Sequence, residues 1–404
     1  MADFHQNGVI STLHKLGNRP VEELEERLIE YAKERPMTLV LPSLFSELQG
    51  DALKNIVEEL KSVPYLNNIV IGLDRATEDE FKYAKDFFSA LPQKHAILWN
   101  DGPRLRAIDA QLEANNLSAG PPGKGRNVWY CFGYVLAGCP ETEIVGLHDC
   151  DITTYDRSML ARLMYPLANP HFNYMFSKGY YARIANDSMN GRVTRLLITP
   201  LIHALRQVYG YDPYLNYLNS FRYPLAGEFA MNVSMLSDLR IPSDWGLEVG
   251  ILSEIRRHYS TKVICQVDIA DAYDHKHQDV SENDKTKGLS KMSIDIALSI
   301  FRKLAIAGNV VSEERIRTVK ATYLRCALDL VEVYKHDAVI NGLKYDVHKE
   351  ENTVELFASN IVQAGAHFID EHEETPFVPR WNRVRYAIPD IMEQIKTAVE
   401  EDNA

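Results

Sequence analysis

Two carboxylates one residue apart close an apolar run: Ile144 to Leu147 deliver His148, Asp149 and Asp151 to one point of the chain. Such carboxylates repel each other unless a cation lies between them. A bend at the end of a strand would turn both toward one ion. Hard oxygen ligands in so open an arrangement suit Mg²⁺ or Mn²⁺, which complete their octahedra with substrate phosphates. The competing account is a solvated turn, where Asp is common. Three other stretches favour the ion. In PPGKGRN (residues 121–127) glycines allow close backbone approach and Lys124 can meet an anion, although the G-x-x-x-x-G-K-[ST] pattern is absent. In DAYDHKHQ (271–278), His275 and His277 lie at alternate positions after the apolar run VICQVDIA, and at most one is expected to join the metal. In FRYPLAGEFAMN (221–232), Glu228 sits in a glycine-containing turn among apolar residues, where a buried carboxylate needs a donor from backbone or a sugar hydroxyl. Asp244 in SDWGLEVG reads as an N-cap for the helix that follows.

These residues need a frame. VEELEERLIEYAKE (21–34) has the spacing of an amphipathic helix, ended by Pro36, and MTLVLPSL (37–44) reads as a strand buried on both faces. The rhythm repeats through a helix near 51–62, the strand NNIVIGLD (67–74), a helix from Thr77, the strand AILWND (96–101) and the helix NVWYCFGYVLAG (127–138). Alternating strands and helices predict a parallel α/β sheet with ligands at the carboxyl ends of its strands, where Pro42, Asp74, Asp101, Asp149 and Asp151 fall. SAGPPGKGRN (118–127) is expected to be irregular. Beyond residue 160 come strand-like FNYMFSKGYYARI, helical RVTRLLITPLIHALRQVYG, an aromatic loop to Pro224, a helix near 247–258 and a mostly helical tail over 289–399.

Composition narrows the class. The 404 residues are 46% hydrophobic and 25% charged, enough for a large core. A formal charge of −12 argues against general affinity for nucleic acid or anionic membrane, so a polyanionic ligand must be held by a local basic pocket. Five cysteines without C-x-x-C spacing suggest neither a disulfide framework nor a zinc site and suit a reducing cytoplasm. No signal-peptide core and no long apolar run is evident. Without further context Arg192 and Arg195 read as a solvated helix face.

Taken in order, LVLPSLFSE, IGLDRATEDEF, PGKGRN, LHDCDI, NGRVTRLL, PLAGEFA, DWGLEVG and DHKHQ resemble the retaining glycosyltransferases that make glucosyl-3-phosphoglycerate and, more distantly, mannosylglycerate synthases. The resemblance implies an α/β fold of the glycosyltransferase A (GT-A) type. Residues 1–36 would form an N-terminal helical extension, 37–160 a Rossmann-like nucleotide-sugar half with a mixed sheet, 161–288 an acceptor half, and 289–404 a helical C-terminal extension. It implies that Pro42, Ser43, Leu44, Glu47 and Asp74 hold the uridine and ribose of UDP-glucose. Gly123 and Lys124 would line the diphosphate path, with Asp149 and Cys150 near ribose and sugar. Asp151 and His275 would ligate Mg or Mn, Glu228 would lie beside the donor sugar, and Asp244 and Glu248 would meet sugar hydroxyls. Gly191, Arg192 and Thr194 would take the acceptor, 3-phosphoglycerate, because an arginine fork matches phosphate or carboxylate oxygens. Glu228, Asp149 and Lys124 would be the catalytic groups, in a cytoplasmic enzyme that resembles homodimers. The segment PSLFSEL departs from the usual PALNEE. Alternatives are mannosyl transfer from GDP-mannose, a nucleotidyltransferase, or a sugar-nucleotide-binding protein without turnover.

Overall fold

The computed structural model describes residue 6 and residues 8–275, 288–370 and 377–404. Its strands are β1 (Ser11–Leu13), β2 (Met37–Leu44), β3 (Leu66–Asp74), β4 (Lys94–Trp99), β5 (Ile144–Leu147), β6 (Phe176–Tyr181), β7 (Ile184–Ala185), β8 (Ser188–Met189), β9 (Phe229–Asn232) and β10 (Ile264–Ala270). One sheet runs β1-β10-β6-β9-β5-β2-β3-β4, and β7 pairs with β8 in a separate hairpin. All neighbours in the large sheet are parallel except β9, which runs antiparallel to both β5 and β6.

The central strands carry apolar side chains on both faces, as strands covered by helices on either side must. Leu39, Val40 and Leu41 of β2 are fully buried, with Val40 in one core layer and its two neighbours in the other. Two crossover helices start on clear local signals. Thr77 accepts from the Glu80 backbone and Glu80 returns the bond, a capping box opening Glu78–Phe88. Pro103 stands in the first turn of Pro103–Ala114, where a missing N–H costs nothing.

Several expectations need correction. The helix expected from Asn127 begins at Lys124, so the glycine-rich segment is irregular only up to Gly123. The N-terminal 36 residues are not only helical, because Ser11–Leu13 forms the edge strand beside β10. The run from Arg192 opens as a π-helix, Val193–Ile198, before the α-helix Thr199–Tyr209. The loop leading to Pro224 contains the helix Pro213–Leu218, opened by Asp212, whose carboxylate accepts from Tyr214 and Leu215.

The C-terminal helices do not form a detached tail. Glu313–Ile340 packs on Thr199–Tyr209, Val347–Asp370 packs on the π-helix, and Ile391–Asn403 packs on Lys124–Gly138 and β4. Trp381 stacks on Trp129 at 3.9 Å, and the two indoles donate to Trp129 O and Pro379 O. Gly133 is fixed by this contact, since a Cβ there would enter the Trp381 ring. Replacing Trp381 by Ala removes a fully buried side chain and should lower the unfolding free energy by about 3–5 kcal/mol, measured by urea denaturation.

Candidate active site

Sheet register assembles the site. Leu147 of β5 faces Phe229 of β9, so the residues just after β5 lie beside those just before β9. Asp149 consequently meets Gly227, where any Cβ would collide with the Asp149 carboxylate. From the opposite side comes Lys124, the first residue of its helix. Gly123 and Gly125 press against the backbone of Pro242 and Ser243, again with no room for a Cβ. That contact brings Lys124 to Glu248, in the first turn of Leu247–His258. Lys124 Nζ lies 2.6 Å from Asp149 Oδ1 and 2.8 Å from Glu248 Oε1. Burial opposes the ammonium charge, but the two carboxylates outweigh it and hold Lys124 protonated. Burial would likewise raise Asp149, yet Lys124 holds its carboxyl below the usual range.

The chain bends at Cys150, whose thiol is buried, and Asp151 turns to His275 with Oδ2 and Nδ1 3.8 Å apart. Ile152 bridges His275, and Thr153 donates to Asp274 O at 2.9 Å, so the loop bearing the imidazole is stitched to the segment bearing the carboxylate. Burial, followed by the charge of Asp149, pushes Asp151 up to about 7. Glu47 and Glu228 act in the same direction. A carboxylate surrounded by carboxylates is a place for a cation, and an oxygen and an imidazole nitrogen are suitable donors for Mg²⁺ or Mn²⁺. Among the described residues no group of three or more His, Cys, Asp or Glu forms a ready metal cage, so these two would leave the remaining positions to water and substrate. His277, the other histidine of that segment, lies outside the described residues.

Glu228 is fully buried and accepts from two phenols: Tyr181 at 2.7 Å and Tyr273 at 2.9 Å. The rings stack at 3.7 Å and are parallel within 2°. Tyr181 ends β6 and Tyr273 follows β10, strands that are paired, which is why residues so far apart in sequence meet. Burial and the Asp149 charge raise the Glu228 carboxyl, opposed by the two phenol bonds. Beneath it, Lys178 of β6 donates to Ala226 O at 2.5 Å, and burial pushes its ammonium down to about 8.

No family model matches the chain. A glucosyl-3-phosphoglycerate synthase of Persephonella marina is 45% identical over 404 residues, 100% of each chain. A second, from Methanococcoides burtonii, is 37% identical over 403 residues, covering 98% of this chain and 97% of the relative. This chain belongs to the glucosyl-3-phosphoglycerate synthase family. The glucosyl-3-phosphoglycerate synthase of Mycobacterium tuberculosis, solved with Mn²⁺, UDP-glucose and phosphoglyceric acid, superposes with a TM-score of 0.53 at 20% identity, over 73% of this chain and 88% of that one. The fold is therefore GT-A.

Within this synthase fold the remaining expected residues are placed as follows. Pro42, Ser43 and Leu44 are the last three residues of β2, with Ser43 buried and its hydroxyl on Leu44 O at 3.0 Å. Glu47 lies in the short helix Phe45–Leu48, close enough to act on Asp151. Asp74 ends β3 and accepts from Asn100 at 2.7 Å, while burial raises its carboxyl. These stand at the carboxyl ends of adjacent parallel strands, where α/β folds bind nucleotides. Asp244 is not the helix N-cap; Gly246 is, and Asp244 accepts from Gly246 N at 2.8 Å in a tight turn before it. Cys150 is buried in the core layer beside the site.

Gly191 adopts φ +74°, which favours glycine, and turns the chain from the β7–β8 hairpin into the π-helix, with Arg192 at its N-cap and Thr194 in its first turn. Sequence reading missed Lys178, Tyr181, Tyr273 and Arg183, whose guanidinium lies over the Tyr273 ring at 5.9 Å. A lysine inside the strand-like stretch FSKGYY was the available signal.

Gly227→Ala should leave the chain folded while displacing Asp149 from Lys124, lowering kcat by about 100-fold, since ångström-scale misplacement is that costly. Circular dichroism and steady-state kinetics would check this. His148 offers a stability test. Burial pushes its imidazole from an ordinary 6.5 down to about 3. The folded chain thus stays neutral there while the unfolded chain takes up a proton. Its contribution is fully present above pH 6.5 and is lost as pH falls toward 3. Between pH 6.5 and about pH 5.5, urea unfolding should lose about 1 kcal/mol more in the parent than in His148→Asn.

Proposed function

We propose that this chain transfers glucose from UDP-glucose to the 2-hydroxyl of 3-phosphoglycerate with retention of the α configuration, in a reaction that needs Mg²⁺ or Mn²⁺. The observation that carries the reading is the acidic pocket centred on Lys124, with Asp151 and His275 at its edge, in a chain akin to glucosyl-3-phosphoglycerate synthases along its whole length. Asp151 and His275 would hold the divalent ion, which when bound neutralises charge on the departing diphosphate. Lys124 supplies a second, permanently charged donor on the same path and reaches it from a helix N-terminus, where the helix dipole also favours anions. Asp149 and Glu248 hold that ammonium in place and face the sugar.

Glu228 is a poor candidate for a covalent nucleophile, because both of its oxygens accept phenolic protons. Double displacement in retaining glycosidases uses two carboxyl groups at the reacting carbon, one of them nucleophilic. Here the carboxylate is held by two stacked tyrosines and serves to orient the sugar and stabilise positive charge at its anomeric carbon. The leaving phosphate oxygen takes the proton from the acceptor hydroxyl on the same face. Arg192, with Gly191 and Thr194, binds the acceptor phosphate. The same reading places the reaction in a reducing cytoplasm, which five free thiols fit. It makes the enzyme a homodimer, for which Val333, Val339 and Ile340 on the outer face of Glu313–Ile340 offer exposed apolar surface.

The test is nucleotide diphosphate release from UDP-glucose or GDP-mannose, with Mg²⁺ or a chelator, offering 3-phosphoglycerate or glycerate. Metal-dependent UDP release with 3-phosphoglycerate is the expected result; release only from GDP-mannose would overturn the donor. Asp151→Asn should lower kcat by at least about 100-fold and weaken Mn²⁺ binding, measured by calorimetry, while leaving the fold intact.

A further inference from the structure

The helical C-terminal extension supplies a carboxylate to the acceptor arginine. Glu350, in the first turn of Val347–Asp370, is 4% exposed. Its Oε1 accepts from Arg192 Nε at 3.0 Å and its Oε2 from Arg195 Nη1 at 2.8 Å. The two arginines are engaged unequally. Arg195 is consumed: Nε donates to Asn190 O at 2.9 Å and Nη2 to Met189 O at 3.1 Å. Its guanidinium lies over the rings of Tyr334 and Tyr345. Arg192 gives Glu350 only its Nε edge, and its side chain keeps 26% exposure.

The surroundings are those of an anion site. Thr194 Oγ1, Arg183 Nε and Asn190 Nδ2 are buried and make no hydrogen bond among the described residues. Gly191, between Asn190 and Arg192, packs against Arg183 and the Tyr223 hydroxyl. One carboxylate shared by two guanidiniums leaves a net positive charge, and Arg183 adds to it. The same extension clamps the hairpin before the site, where Lys344 N donates to Asp187 O at 2.6 Å and Lys344 bridges Ser188. Orphaned donors beside a half-used guanidinium are unfavourable unless a ligand with several acceptor oxygens satisfies them.

We infer that Glu350 is a positioning residue of the acceptor site: it takes the Nε edge of Arg192 and so presents the two Nη nitrogens as a fixed fork to the phosphate of 3-phosphoglycerate. The inference rests on the reading of Arg192 as the acceptor anchor. It makes the C-terminal extension part of acceptor binding.

The test uses the full chain and steady-state kinetics in both substrates. Glu350→Gln keeps the shape and loses the charge. It should raise KM for 3-phosphoglycerate about tenfold, with KM for UDP-glucose and turnover of unphosphorylated glycerate unchanged. Equal losses for both acceptors, or for donor and acceptor alike, would show a merely structural role and overturn the inference. A lowered acceptor KM would show that the carboxylate competes with substrate, which also overturns it. Arg192→Lys leaves the buried Glu350 and Arg195 pair intact, so it should fold, and it removes the planar fork. It should raise the acceptor KM to a similar extent, with no further rise when combined with Glu350→Gln. If Arg192→Lys and Arg192→Ala both leave that KM unchanged, the acceptor reading itself falls. If they raise it and Glu350→Gln does not, only the positioning role falls.

Discussion

The site depends on one cation placed among too many carboxylates. Lys124 touches Asp149 and Glu248, while Glu47 and Glu228 stand close enough to raise Asp151. Buried charges of one sign are tolerable only if opposed, and Lys178, lowered by burial to about 8, is a second buried cation near Glu228 and Glu248. Lys124 opposes the Asp151 charge and His275 lies beside it, yet burial and the neighbouring carboxylates still raise its carboxyl. The same imbalance that is unfavourable for folding makes the pocket receptive to a divalent ion carrying a diphosphate. This is how a chain of net charge −12 can bind a polyanion.

Backbone fit sets that imbalance. Gly123, Gly125 and Gly227 sit where neighbouring atoms leave no room for a Cβ, and each brings two charged side chains within reach. The antiparallel insertion of β9 does the rest, by placing Gly227 and Glu228 against the end of β5. A fully parallel sheet would carry the segment before β9 to the other edge, away from Asp149.

Much of this was legible in the sequence. The apolar runs ending in Asp74 and Asp149, and the helix from Leu247 to His258, are where periodicity put them. The D-x-D segment, Lys124 and Glu228 converge as their chemistry suggested. What was not legible shares one cause: it depends on residues distant in the chain. Ser11–Leu13 and Phe229–Asn232 are too short for a periodic signal and become strands only because β10, β5 and β6 offer edges. The glycine-rich segment turns helical at Lys124 because Pro242 and Ser243 fix its start. The pairing of Tyr181 with Tyr273 around Glu228 follows from adjacent strands, and nothing in either local sequence announces it.

The region around Arg192 shows the same logic at longer range. Arg192 and Arg195 have the same chemistry and lie three residues apart, so sequence alone gives no ground for separating them. A carboxylate 155 residues beyond Arg195 does so, by taking the terminal nitrogen of one and only the Nε of the other. The π-helix contributes: its wider turn and the left-handed Gly191 before it let both guanidiniums face one carboxylate. An arginine held on one edge has fewer orientations to lose when an anion arrives, so part of the ordering cost of binding is met during folding. The helices after residue 288 thus fix a side chain that another part of the chain supplies.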